Sequence, residues 1–256
     1  MSDIYSFVEG TTDQVVFDVL KKALQKTHNL TFEGQIVNVK GKNNFRSKIL
    51  DTLKPEFDPG EPEHYVRTLA FRDLDADEER QDVVASFESL ARKLLARWQL
   101  EPQFSPLTSW TNILAIDQAP TEDRPGLRFV LHIADPPHLE ELNLKNITTD
   151  CYVLAVALRE PVLGRFAQQA GSQSDTLHTL ITREVPQTIM DREIAFDEDK
   201  DFLAAYLCAA RFWSVKRTEE KERLLNIVLD RALEHGPNDF WSIFASWKVA
   251  IEEAVR

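Results

Sequence analysis

The sequence predicts an α/β fold, a mostly parallel sheet flanked by helices and followed by a helical C-terminal region. Three observations lead there. A strand, turn and helix pattern recurs three times before residue 100; glycine- or acid-containing turns stand at the end of each of those strands; and helical periodicity takes over from about Leu139.

The first unit is Ile4-Tyr5-Ser6-Phe7-Val8, a short β-rich run that stops at Glu9-Gly10. A helical pattern follows, with Val15, Val16, Val19, Leu20 and Leu24 on one face. The second unit is Gln35 to Val39, a turn at Lys40-Gly41-Lys42, and a helix through Phe45, Ile49 and Leu53. After a loop from Pro55 to Glu63, Tyr65 to Phe71 reads as the third strand, Asp73 to Asp77 as its exit loop, and Asp82 to Trp98 as its helix. Such alternation predicts parallel strands joined by right-handed crossovers, with ligands bound beyond the carboxyl ends of the strands.

Trp110 to Ile116 and Leu127 to Ile133 add two further strands, joined either in parallel or as a hairpin. The remainder reads as helices over Tyr152 to Gln169, Phe202 to Trp213, Glu219 to Leu233 and Phe240 to Val255, the second with an acidic start at Asp197 to Lys200. The expected division is therefore 1–138 for the sheet domain and 139–256 for a helical region packed on it.

Composition excludes several classes. Hydrophobic residues make up 43% and charged residues 28%, ordinary for a globular chain able to bury a core. No apolar run approaches a membrane span, and Met1-Ser2-Asp3 lacks the basic start of a signal peptide, so a cytoplasmic protein without membrane association is expected. Cys151 and Cys208 lie far apart within apolar stretches and read as buried free thiols. The net charge of -12 opposes a broad nucleic-acid surface, but carboxylates that hold divalent cations would add to that count, and Lys40, Lys42, Arg46 and Lys48 form a local basic strip.

Asp73-Leu74-Asp75 at a strand exit sets two carboxylates above the sheet edge with Leu74 turned inward. Such a pair suits Mg²⁺, which takes oxygen ligands and keeps waters or substrate phosphate in its shell. Glu9, ending another strand, reaches the same space if the two strands are neighbours, and Asp13 follows it by one helical turn. The six histidines show no metal-ligand spacing, and no Ser, His and Asp arrangement suggests a nucleophilic triad.

Ser6 to Asp13, Val39 to Phe45 and Phe71 to Asp77 together resemble the Toprim domain of topoisomerases, primases, small ribonucleases and OLD nucleases, the three blocks standing in the family's order. The likeness covers roughly 4 to 80 well and 80 to 150 loosely. It implies a Rossmann-like Toprim fold in which Glu9 serves as metal ligand or general acid/base and Asp73 and Asp75 coordinate Mg²⁺ or Mn²⁺. The spacing of Glu9 and Asp13 and the Gly-Lys-Asn-Asn-Phe block look most like OLD-type nucleases and small bacterial Toprim proteins of phage defence. Those relatives carry a later acid and a lysine, roles that would fall on Asp150 and on Lys200, with Lys42 a second lysine for the transition state.

The activity so implied is Mg²⁺-dependent hydrolysis of phosphodiester bonds in DNA or RNA, in antiviral defence alongside an ATPase partner. The alternative is a non-catalytic Toprim-like protein that binds metal or a partner and regulates it. A third reading is a structural module dimerised through its C-terminal helices, a homodimer. The chain departs from the family where Ala76-Asp77-Glu78-Glu79-Arg80 follows the acidic pair in place of glycine and a basic residue. Simpler structural roles also exist: Asp77 to Glu79 as a helix cap and acidic first turn, Asp150 as an N-cap, Lys200 as a solvated helix residue.

Overall fold

The computed structural model describes residues 3–57, 65–107, 109–136, 147–196, 199–213 and 220–256. Strand β1 (Asp3–Val8), helix α1 (Thr11–His28), β2 (Glu33–Asn38), α2 (Phe45–Leu53), β3 (Tyr65–Arg72) and α3 (Arg80–Leu94) realise the three expected units. Strands β4 (Ser105–Leu107), β5 (Trp110–Gln118) and β6 (Gly126–Ile133) complete a six-stranded sheet in the order β2-β1-β3-β6-β5-β4. The strands β2, β1, β3 and β6 are parallel, while β5 runs antiparallel to both β6 and β4. The pair open to two readings is thus a hairpin, and β4, three residues long, escaped the sequence pattern.

The order dictates where the helices go. Strand β2 lies on one side of β1 and β3 on the other, so right-handed crossovers send α1 and α2 to opposite faces. On the α2 face, Phe45, Ile49 and Leu53 of α2 and Val83, Phe87, Leu90 and Leu94 of α3 meet Phe7, Ala70, Leu114, Phe129 and Leu131 in one core. The alternate residues of β3 and β6 point the other way. There Phe71 stacks on Trp247 with ring centres 3.8 Å apart, and His132 bonds Ser246 Oγ through Nε2 at 2.9 Å.

Trp247 and Ser246 belong to the last of eight further helices among the described residues: α4 (Thr149–Ala157), α5 (Glu160–Ala170), α6 (Ser174–Thr179), α7 (Val185–Met190), α8 (Asp199–Trp213), α9 (Lys221–His235), α10 (Pro237–Ile243) and α11 (Ala245–Val255). Helix α11 is held to the sheet at its far end too, because the Arg128 guanidinium donates to the Glu253 carbonyl and carboxylate, each at 2.6 Å. Among the described residues the chain forms two compact units, one of Met1–Gln14, Leu20–Ala134 and Ser246–Arg256, the other of Val15–Val19 and Asp135–Ala245. This differs from the division expected from sequence: α11 joins the sheet unit, and the expected boundary at 138 lies outside the described residues.

In the helical unit α4 is buried from Cys151 to Ala157, an apolar helix on all sides that α8, α9 and α10 enclose. The long helix expected from Tyr152 to Gln169 is broken at Leu158-Arg159, since Pro161 starts a helix but cannot continue one. The span from Phe240 to Val255 is likewise two helices, joined at Phe244. Between α6 and α7 the ladder widens into a π-turn over Leu180–Glu184, directly before Pro186, which has no N–H to donate four residues back. Cys151 is buried as expected, whereas Cys208 is exposed: the inward face of α8 carries Leu203, Tyr206, Leu207 and Ala210, and position 208 falls on the other side. No described helix is long and apolar enough to cross a membrane.

Candidate metal and phosphate site

The chain steps from β1 outward to β2 and then back across to β3, so the crevice beyond the ends of β1 and β3 is the topological switch point of the parallel part of the sheet. The register Phe7 with Ala70 sets Glu9 level with Arg72, one residue ahead of Asp73. Backbone bonds tie the neighbouring exits together. The Val39 N–H donates to the Val8 carbonyl and the Gly41 N–H to the Glu9 carbonyl, both at 2.9 Å. Gly41 has φ of 106°, a value that favours glycine, and it turns the chain so that Lys42 follows at the same edge.

Arg72 organises this edge. Its Nη1 donates to Glu9 Oε2 at 3.0 Å, while Nη2 donates to both carboxylate oxygens of Glu78 at 2.7 and 2.8 Å. The side chain is only 6% exposed, so the guanidinium is a nearly buried bridge between two carboxylates. Lys42 Nζ pairs with Asp75 Oδ2 and lies 3.4 Å from Glu78 Oε1. Leu74 packs against the core beneath as expected, and its sequence neighbours Asp73 and Asp75 are both partly buried.

Burial pushes the Glu9 carboxyl above the usual glutamate range, with Asp75 and Glu78 adding to the rise and Arg72 and Lys42 opposing it. The Lys42 ammonium is held above its ordinary value, first by its hydrogen bond to Asp75. Glu9 therefore holds a proton more readily than a solvated glutamate.

Of the expected residues, the structure brings Glu9, Asp75 and Lys42 into one electrostatic cluster and places Asp73 at the end of β3 beside it. Asp13 sits in the first turn of α1, where its Oδ2 accepts from the N–H of the N-cap Gly10 at 2.8 Å. Asp150 and Lys200 belong to the helical unit. Asp150 lies in the first turn of α4, but the N-cap there is Thr148, whose Oγ1 accepts from the Asp150 N–H at 3.2 Å. Lys200 is exposed near the start of α8. His132 is buried in β6, and His138 is outside the described residues.

Sequence reasoning missed Arg72 and gave Glu78 the role of a helix cap. A signal for Arg72 was present: a charged residue as the last of an apolar strand, level with the acid that ends the neighbouring one.

Among the described residues no three His, Cys, Asp or Glu side chains form a ready cation site. The donor type still suits a hard divalent cation, because Glu9, Asp75 and Glu78 are carboxylates of one charge-coupled cluster, Asp75 and Glu78 each raising the Glu9 pKa. Their counter-charges in this structure are Arg72 and Lys42, so binding a cation requires Lys42 to release Asp75.

Fold and site together define an α/β protein with carboxylates and cations gathered at the switch point of its sheet. No family model matches the sequence, and no curated protein matches it. Among solved structures, a hypothetical protein from Pyrococcus horikoshii OT3 is similar over 99% of each chain, at 15% identity and a TM-score of 0.46.

Proposed function

We propose that this chain is a Toprim-like, metal-dependent nuclease whose centre is Glu9, Asp73 and Asp75, with Mg²⁺ or Mn²⁺ as cofactor. The observation that carries the reading is the meeting of Glu9, Asp75 and Lys42, from the exits of three different strands, at the switch point of the sheet. A cation bound by these acids supplies Lewis acidity toward a phosphoryl oxygen and acidifies a coordinated water. Glu9 would serve either as a third ligand beside Asp73 and Asp75 or, where those two hold the cation, as the group that takes the proton of the attacking water. Arg72 fixes the orientation of that carboxylate through Oε2, and Lys42, once off Asp75, offsets the charge that builds on the phosphate oxygens. DNA or RNA is the substrate, and an ATPase of a defence system is the partner by analogy with the Toprim proteins that the sequence resembles.

A second reading, a regulatory protein of the same fold that binds metal or a partner without cleaving, is favoured by the ion pairs themselves. Arg72 and Lys42 already compensate Glu9, Glu78 and Asp75, as a purely structural cluster would require. Incubation with plasmid, single-stranded DNA and RNA in Mg²⁺ or Mn²⁺ separates the two. Cleavage is expected in the wild type and a drop of about 100-fold or more in Glu9→Gln and in Asp73→Asn. Cleavage that persists in both variants contradicts the assignment, and a wild type that cleaves nothing favours the regulator.

A further inference from the structure

Beside the site lies a cavity of about 370 Å³ between the start of α2 and the first turns of α3. We propose that it seats one unpaired nucleotide of the substrate, so that the strand reaching the site is single-stranded there. The inference rests on the nuclease reading for its choice of a nucleic acid, and on the cavity for the rest.

Size comes first. A cavity at the small end of the range for small-molecule sites admits a single base and sugar, whereas a duplex keeps its bases inside the stack and offers none to a recess of this kind. Charge then orders the occupant. Asp77, Glu78 and Asp82 are among the lining residues, carboxylates that repel phosphate and can accept hydrogen bonds from the N–H groups of a base edge. Lys42 and Arg46 line it as well, cations suited to the phosphate that joins this nucleotide to the scissile one. Phe45 and Phe87, core residues that meet edge to face with centroids 5.6 Å apart, also border it. Lys42 belongs to both the cavity and the metal site, so a nucleotide in the cavity has its phosphate delivered to the cluster. An all-cationic lining would have indicated a phosphate alone, and an all-apolar one a hydrophobic ligand.

The test is fluorescence anisotropy on the full chain with Ca²⁺ in place of Mg²⁺, so that binding is read without cleavage. The probes are short labelled single strands of DNA and RNA and the corresponding blunt duplex. Single strands are expected to bind about 10-fold or more tighter than duplex. Ser86→Trp, which fills the cavity from the side of α3, and Arg46→Glu, at an exposed position, are each expected to weaken single-strand binding by about 10-fold or more. Should Ser86→Trp fail to fold by circular dichroism, Arg46→Glu carries the test.

Equal affinity for duplex and single strand overturns the inference, as does unchanged binding in the folded variants or the absence of binding to any probe. The two proposals fail separately. Single-strand binding lost in the variants, without cleavage in Mg²⁺, supports the cavity and contradicts the nuclease. Metal-dependent cleavage with equal duplex affinity supports the nuclease and contradicts the cavity.

Discussion

At the scale of the residue, Arg72 shows how one side chain decides the state of the others. It ends a strand that is otherwise apolar toward its core face, and it survives burial because three carboxylate oxygens, one from Glu9 and two from Glu78, accept from it. Replacing it leaves two partly buried acids without their shared counter-charge. Arg72→Gln is expected to cost about 3 kcal/mol in urea unfolding, the lower end for breaking a buried pair, since Glu9 and Glu78 keep 21% and 24% of their side-chain surface in water. An unchanged midpoint would show that the bridge is incidental.

A second residue carries a pH dependence. Burial, with a smaller contribution from Arg80, lowers the His132 pKa to about 3, against 6.5 for a solvated histidine. The unfolded chain therefore binds a proton that the folded chain refuses between those values. Stability from this group is complete above pH 6.5 and is lost as pH falls toward 3, at about 1.4 kcal/mol per pH unit. His132→Gln, which retains a group able to bond Ser246, is expected to flatten that slope by about one proton's worth when unfolding is measured from pH 7 to 4. A slope identical to wild type would mean that other groups set the acid sensitivity.

At the scale of the element, the first three strand and helix units were legible because the period changes cleanly from two to 3.6 and each change falls on a turn such as Glu9-Gly10 or Lys40-Gly41. Helices α6 and α7 were not, at six residues each, because fewer than two turns cannot display a period. The break before α5 was available in Pro161 but was masked by the apolar run through Leu158. What no local pattern conveys is which layer a helix joins. Helix α11 reads as one more C-terminal helix, yet it is part of the sheet unit through Trp247 on Phe71 and Glu253 on Arg128. Trp247→Ala, at a side chain 1% exposed, is expected to destabilise the chain by about 3–5 kcal/mol, read from the unfolding midpoint. A loss below about 1 kcal/mol would contradict the assignment of α11 to the sheet core.

At the scale of the whole molecule, the nuclease proposed above, with a net charge of -12, would have to meet nucleic acid through a small cationic region and bound metal rather than through a broad basic surface. Lys40 and Lys42 in the β2 to α2 connection and Arg46 and Lys48 in the first turn of α2 would supply that region, with Lys42 paired to the carboxylates. The acids of the candidate site were legible as residues at strand ends, but that Glu9 stands level with the end of β3 follows from the strand order, which the sequence left open. The cations that neutralise them were not, because the pairing of Arg72 with Glu78 and of Lys42 with Asp75 depends on side chains meeting across loops.

The claim on which the rest depends is that these carboxylates bind a divalent cation when Lys42 lets go of Asp75. Calorimetric titration of the chain with Mn²⁺ measures this directly. Saturable binding is expected in the wild type, about 10-fold or more weaker in Asp75→Asn and Glu9→Gln, and retained or tightened in Lys42→Ala, where the competing ammonium is gone. A wild type that takes up no Mn²⁺, or equal affinity across all four proteins, would contradict it.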